Sequence, residues 1–160
     1  MKRHFTSKHD SRDYIEKVQK SCGLTLDVPR SAQVELIEPD DDVRFLVVDG
    51  NYTFVELGDS VLPFVGSRPL LAMLPSIYID EGAVKYILKG ADVMRPGIAK
   101  YDDWGDRDRL VVIRDQEKQR GLAIGRALVQ SSEMPGMSKG VAIKNLQHAG
   151  DRVWESYKKI

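Results

Sequence analysis

Residues 78–98 read YIDEGAVKYILKGADVMRPGI, and the rest of the chain is organised around them. Within about twenty residues the stretch encodes strand, helix, tight turn, strand and turn. Asp80 is placed to cap a helix by accepting from the free N–H groups of its first turn. Gly90 is placed to close that helix in the left-handed conformation that other residues resist. Between them Ala83, Val84, Ile87 and Leu88 fall within an arc of about 140° at roughly 100° per residue, while Lys85 and Lys89, one turn apart, point the other way. The spacing therefore predicts a helix with a core face and a cationic face. Beyond Gly90, Arg95-Pro96-Gly97 reads as a type II turn, since proline fixes one dihedral and glycine permits the next. Arg95 would enter this turn just beyond the two lysines.

Gly90-Ala91-Asp92-Val93-Met94-x-Pro96-Gly97-Ile98 resembles the signature of the PUA domain, an RNA-binding module named after pseudouridine synthases and archaeosine transglycosylases. Extended back to Asp80, the agreement is similar to the family of the malignant T-cell-amplified-sequence protein and its single-chain archaeal relatives. It continues through Gly121-Leu-Ala-Ile-Gly-Arg-Ala-Leu-Val129, Gly140-Val-Ala-Ile-Lys-Asn-Leu-Gln-His148 and Gly150-Asp-x-Val-Trp154, so that residues 76–155 are covered. The N-terminal half matches that family's pre-PUA domain in order of elements. The chain departs from the pattern at Gln147-His148-Ala149, where the resemblance would place histidine, an aromatic residue and leucine.

The chain has 160 residues, enough for one large or two small domains with cores of their own. Lysine plus arginine and aspartate plus glutamate number 24 each, so no overall basic excess announces a polyanion binder. The halves differ: residues 1–75 carry 9 basic and 12 acidic side chains, and residues 76–160 carry 15 and 12, which favours the C-terminal half as the polyanion-facing one. Cys22 is the only cysteine, so neither an internal disulfide nor a cysteine-rich metal site is expected, and a reducing cytoplasmic location fits. The polar opening MKRHFTSKHDSRD lacks the apolar core of a signal peptide. No run approaches the roughly 18 apolar residues of a membrane span.

Residues 10–22 have helical spacing, with Tyr14, Ile15, Val18 and Cys22 on one stripe, Asp10 or Ser11 as cap and Gly23 as stop. Residues 32–38, 43–48 and 52–57 are β-rich, and Asp49-Gly50 between the last two is a hairpin signal because both residues tolerate positive φ. Residues 67–74 read as a short helix with proline in its first turn, ended by Pro75. Residues 110–114, 122–129 and 141–145 are short strands punctuated by Gly121, Gly125 and Pro135-Gly136, a spacing that suggests a small, partly closed barrel. The expected fold is α+β: a helix-plus-antiparallel-sheet pre-PUA domain over 1–75, then a PUA pseudo-β-barrel with a short helix over 76–160.

No catalytic spacing emerges. His4, His9, His148, Cys22 and scattered carboxylates form no metal-binding helix pair, nucleophile elbow or phosphate loop, and no cofactor is expected. Residues 102–108, DDWGDRD, lack the closing glutamate of a calcium loop and read as solvated. Met73, Met94 and the aromatic residues at strand spacing read as core, and Trp154 as packing. Lys85, Lys89 and Arg95 read from composition alone either as a solubilising face or as a phosphate-binding one. The resemblance implies the second, with Gly90 and Ala91 allowing a phosphate or base to reach the backbone, Pro96 and Gly97 completing the loop, and Arg126, Lys144 and His148 on the neighbouring strand. It further implies a non-enzymatic protein of translation initiation, reinitiation or recycling that binds tRNA or small-subunit ribosomal RNA and meets the ribosome and an initiation-factor-like chain. An RNA-targeting subunit of an RNA-modification enzyme and a protein-interaction module are the alternatives.

Overall fold

The structure is a computed structural model describing residues 1–160. The chain forms two compact units, Met1–Met73 with Arg152–Ile160, and Leu74–Asp151. It is mixed α+β, as expected, and no helix is long and apolar enough to cross a membrane.

The first unit opens with strand β1 (Lys2–Phe5) and helix α1 (Lys8–Cys22). Ser7, rather than Asp10 or Ser11, caps that helix by accepting from the Asp10 N–H at 3.1 Å, and Gly23 closes it at φ 65°. Ser11 instead lies buried within the first turns, where its hydroxyl accepts the Val34 N–H. Strands β2 (Val34–Asp40), β3 (Val43–Val48), β4 (Tyr52–Leu57) and β5 (Ser60–Pro63) complete an antiparallel sheet in the order β1-β2-β3-β4-β5. The Asp49-Gly50 hairpin is as expected, with φ of 54° and 66°. Helix α2 (Arg68–Leu71) carries its proline in the first turn. Phe45, Phe54, Leu46 and Leu70 are fully buried and anchor this core.

The second unit begins with β6 (Ser76–Ile79), followed by α3 (Glu81–Ile87), β7 (Val93–Met94), a 3-10 turn over Arg95–Gly97, and β8 (Ile98–Tyr101). Strands β9 (Leu110–Asp115) and β10 (Gly121–Ala127), a second 3-10 segment (Ser131–Gly136) and β11 (Val141–His148) finish it. The sheet runs β7-β11-β10-β9-β6-β8 and is nearly barrel-shaped, its one parallel pair being β6 with β9. Ile77, Ile79, Ile113, Ile143 and Met134 fill the interior with at most a trace of exposure. Gly125 sits where β10 passes over this core, and a Cβ there would lie 2.4 Å from Ile143 Cγ2 and 3.0 Å from the Lys144 carbonyl oxygen.

Three further expectations change. The tail over 152–160, expected with the second domain, belongs to the first unit: α4 (Arg152–Tyr157) sets Tyr157 4.5 Å from the Phe64 ring and 5.3 Å from Phe45, with Trp154 6.0 Å from Phe64. Asp40 accepts from Ser156 and Lys159 there, and the Lys159 ammonium and then the Ser156 hydroxyl hold its carboxyl below the ordinary range. Trp154 is packing, as expected. With the tail reassigned, residues 74–151 carry 12 basic and 11 acidic side chains, so the charge asymmetry between halves came mostly from a segment outside the barrel. Finally, residues 102–108 are organised rather than merely solvated. Trp104 is buried with its indole N–H on the Val129 carbonyl, and Asp103 accepts from Ser131 and the Gly105 N–H, which in that order lower its pKa.

Candidate nucleic-acid interface

Helix α3 positions the face. Asp80 caps it, accepting the Ala83 N–H at 3.1 Å, and the chain leaves it through two return bonds, Gly90 N–H to the Ile87 carbonyl at 2.9 Å and Ala91 N–H to Tyr86 at 3.0 Å. Gly90 takes φ +95°, which a side chain at this position would strain. Of the predicted core stripe, Ile87 is buried and Ala83 and Val84 pack against the core, but Leu88 is exposed because the helix ends beneath it. Lys85 and Lys89 are exposed on the outer side, and Lys85 Nζ lies 5.2 Å from the centre of the Tyr86 ring.

Strand β11 holds this helix end in place through a residue the sequence reading passed over. Asn145 Nδ2 donates to the Ile87 carbonyl at 3.1 Å and to the Ala91 carbonyl at 3.0 Å, while its backbone N–H donates to Asp92 Oδ1 at 2.9 Å. One side chain thus adds a second bond to the Ile87 carbonyl at the helix end, already met by the Gly90 N–H, and bonds the Ala91 carbonyl in the glycine loop. An asparagine inside an otherwise β-favourable run was the available signal, since asparagine is depleted from strands unless its amide has a task. Beside it Lys144 is exposed, and His148 is half-buried against Gly90, where a Cβ would lie 3.5 Å from His148 Nε2.

The structure therefore brings Lys85, Lys89, Gly90, Ala91 and His148 together around the helix end, while Lys144 is exposed on β11 with Arg126 as its cross-strand partner. It does not gather the remaining predicted residues in the same way. Arg95 turns inward, half-buried: its Nε donates to the Met134 carbonyl at 3.1 Å, its guanidinium stands 5.8 Å from the centre of the Tyr101 ring, and its backbone N–H donates to the Gly140 carbonyl at 2.8 Å. The expected type II turn is a 3-10 turn, in which Gly97 has no positive φ and a Cβ would meet only Ala83 at an ordinary 3.6 Å. The fixed φ of proline suits either geometry, and the Ile98 N–H returning to the Arg95 carbonyl selects this one. Pro96 is exposed at its rim. Arg126 pairs across the strands with Lys144, but its guanidinium donates to the Asp108 carbonyl at 2.9 Å.

One exposed side chain adds to the face: Tyr86, at 55% exposure, offers a flat ring next to Lys85. Met94, read from sequence as core, is instead 48% exposed on β7, opposite Val141. A stacking surface beside cations that can meet phosphates is the combination single-stranded nucleic acid uses. Elsewhere, His9, Asp10 and Asp13 on α1 bring ligand atoms within 4.8 Å of one another, all exposed, with His9 and Asp13 paired at 3.4 Å.

The sequence profile of the PUA domain matches residues 75–149. A protein of Methanocaldococcus jannaschii is 33% identical along an alignment that covers 96% of this chain and 95% of that protein. Translation machinery-associated protein 20 of Saccharomyces cerevisiae is 31% identical over 79% of this chain and 74% of its own length. Malignant T-cell-amplified sequence 1-A of Xenopus laevis is 28% identical over 79% of this chain and 73% of its own. Among solved structures, a hypothetical protein of Pyrococcus horikoshii superposes with a TM-score of 0.75 at 29% identity, covering 96% of this chain and 98% of that one. A chain of an H/ACA RNP bound to a substrate RNA matches 59% of this chain and 29% of its own length, with a TM-score of 0.50 and 32% identity.

Proposed function

This chain belongs to the PUA-domain family that includes translation machinery-associated protein 20 and the malignant T-cell-amplified sequence proteins, and we propose that it binds RNA through the end of α3, the Gly90-Ala91 loop and β11, in the service of translation. The observation that carries this reading is the exposed glycine loop, free of side-chain bulk, with Lys85, Lys89 and Lys144 exposed on the elements that flank it. Lysines neutralise phosphates without demanding a sequence, and the open backbone admits a base or a phosphate at close range. The relatives named translation machinery-associated protein 20 match along most of both chains, which favours tRNA or small-subunit ribosomal RNA as the ligand and the cytoplasm as the location. On this reading the first unit is the surface that meets the ribosome or an initiation-factor-like partner, and the chain itself carries no catalysis.

The test is charge reversal on the face. Lys85, Lys89 and Lys144 changed together to glutamate should weaken binding to tRNA and to small-subunit ribosomal RNA more than tenfold at 0.1 M salt, with the melting curve unchanged. The log-log salt slope should fall by about 0.7 for each lost contact to a single-stranded target. Undiminished binding of both RNAs by the triple variant would sink the assignment of this face.

A further inference from the structure

We propose that His148 determines specificity on this face, its Nε2 accepting a hydrogen bond from an N–H or O–H donor of an unpaired nucleotide seated against Gly90. The inference rests on the RNA-binding reading above and adds to it what the ligand must carry.

The tautomer follows from the contacts. His148 Nδ1 lies 2.9 Å from the Ala149 carbonyl oxygen. A carbonyl oxygen only accepts, so the proton sits on Nδ1, and in the neutral ring Nε2 is left with an unshared lone pair. The backbone that carries the ring is anchored on both sides: the His148 N–H donates to Asp151 Oδ2 at 3.0 Å, and the Ala149 N–H donates to the Leu122 carbonyl at 2.8 Å. Its free edge then faces the glycine, for a Cβ built on Gly90 would lie 3.5 Å from Nε2 and 3.7 Å from Cδ2. Gly90 is exposed and His148 half-buried, so the space a side chain would fill is open to a ligand, with an sp² acceptor in its wall.

The neighbours sharpen the chemistry. Lys85, Lys89 and Lys144 can only donate, as phosphate contacts require, and the Asn145 amide N–H groups are engaged by the Ile87 and Ala91 carbonyls. Histidine thus supplies to the loop the opposite hydrogen-bonding sense from the lysines. A nucleotide offers a matching donor from either of two sources, a base amino or ring N–H group, or the ribose 2′-hydroxyl.

Fluorescence anisotropy on the full chain distinguishes them, with eight-nucleotide single-stranded RNAs of adenine, cytosine, guanine, uracil or hypoxanthine and their 2′-deoxy counterparts as probes. The parent should discriminate about tenfold in at least one arm, the effect of one well-placed hydrogen bond. That arm is RNA over DNA if the hydroxyl is read, or adenine over hypoxanthine, or another base pair differing in donors, if the base is read. His148→Phe keeps a planar ring without the acceptor and should abolish that discrimination while leaving the weaker probe bound as before. His148→Gln restores an acceptor and should recover part of it. If His148→Phe fails to fold, His148→Met serves instead. Discrimination that survives loss of the imidazole, or a parent that discriminates in neither arm, overturns the proposal. If the triple lysine variant still loses all probes, the RNA face stands without it; if that variant binds them unchanged, both fall.

Discussion

Changing Asn145 to aspartate keeps the size of the side chain and removes both donors that hold the end of α3 and the glycine loop to β11. Each lost bond, to the Ile87 carbonyl at 3.1 Å and the Ala91 carbonyl at 3.0 Å, is worth about 0.5–1.5 kcal/mol. A carboxylate at the C-terminal end of a helix adds about 0.3–1 kcal/mol of repulsion. Together these give a local destabilisation of about 1.3–4 kcal/mol, or an opening equilibrium raised about 8- to 700-fold. The amides of Gly90 and Ala91 report it directly, since both are bonded back to the helix and exchange with solvent only when that turn opens. Native-state hydrogen exchange should show those two amides accelerated by this factor, while amides of β3 and β4 in the other unit keep their protection. Asn145→Ala, which loses the bonds without the repulsion, should fall between the parent and the aspartate variant. If Gly90 and Ala91 in Asn145→Asp exchange within about twofold of the parent, the amide is not what holds the loop and the account of the site's rigidity is wrong.

Gly125→Ala forces a methyl group against Ile143 and the Lys144 backbone, and should cost about 1–3 kcal/mol of overpacking in urea denaturation; an unchanged midpoint would show that the strand relaxes freely. Arg95→Glu should lower stability, because the guanidinium is spent on the Met134 carbonyl and the Tyr101 ring; a variant as stable as the parent but deficient in RNA binding would return Arg95 to the interface. For Asp115, burial opposes ionisation, but the Lys118 and Arg120 N–H groups and the Arg120 guanidinium outweigh it and leave the pKa below the ordinary value. A depressed folded pKa means stabilisation that is complete above the unfolded value of about 3.9 and lost as pH falls through the folded one, so the urea-midpoint gap between the parent and Asp115→Asn should be wide at pH 6 and close at lower pH. A gap that does not change with pH would refute that sign. A fragment of residues 74–151 should melt cooperatively by itself, and one that includes 152–160 should gain nothing, since the partners of that tail lie in the first unit; a fragment that folds only with the tail would contradict the division.

What the sequence by itself determined is local. Asp80 as cap, Gly90 as left-handed stop, Asp49-Gly50 as hairpin and proline in the first turn of α2 were legible because each depends on the conformational preference of a residue and its near neighbours. The motif around Gly90 also carried the family, and with it the fold of the second unit. Tertiary structure decided the rest. Strands β1 and β5 escaped notice since Lys2–Phe5 shows no apolar alternation and Ser60–Pro63 is short and ends in proline; they exist because β2 and β4 offer unpaired edges. Whether a cation faces solvent or a carbonyl is a question of what the chain brings beside it, and for Arg95 that was Met134, 39 residues away. The tail joined the first unit through Phe45, Phe64 and Asp40, more than 90 residues earlier in the chain. Asn145 and His148 became parts of a site only when β11 was laid against the end of α3, some 55 residues back. A side chain's propensity is carried in its own chemistry, but its partner is set by the packing of distant segments, and that packing alone determined which charges, rings and amides met at the glycine loop.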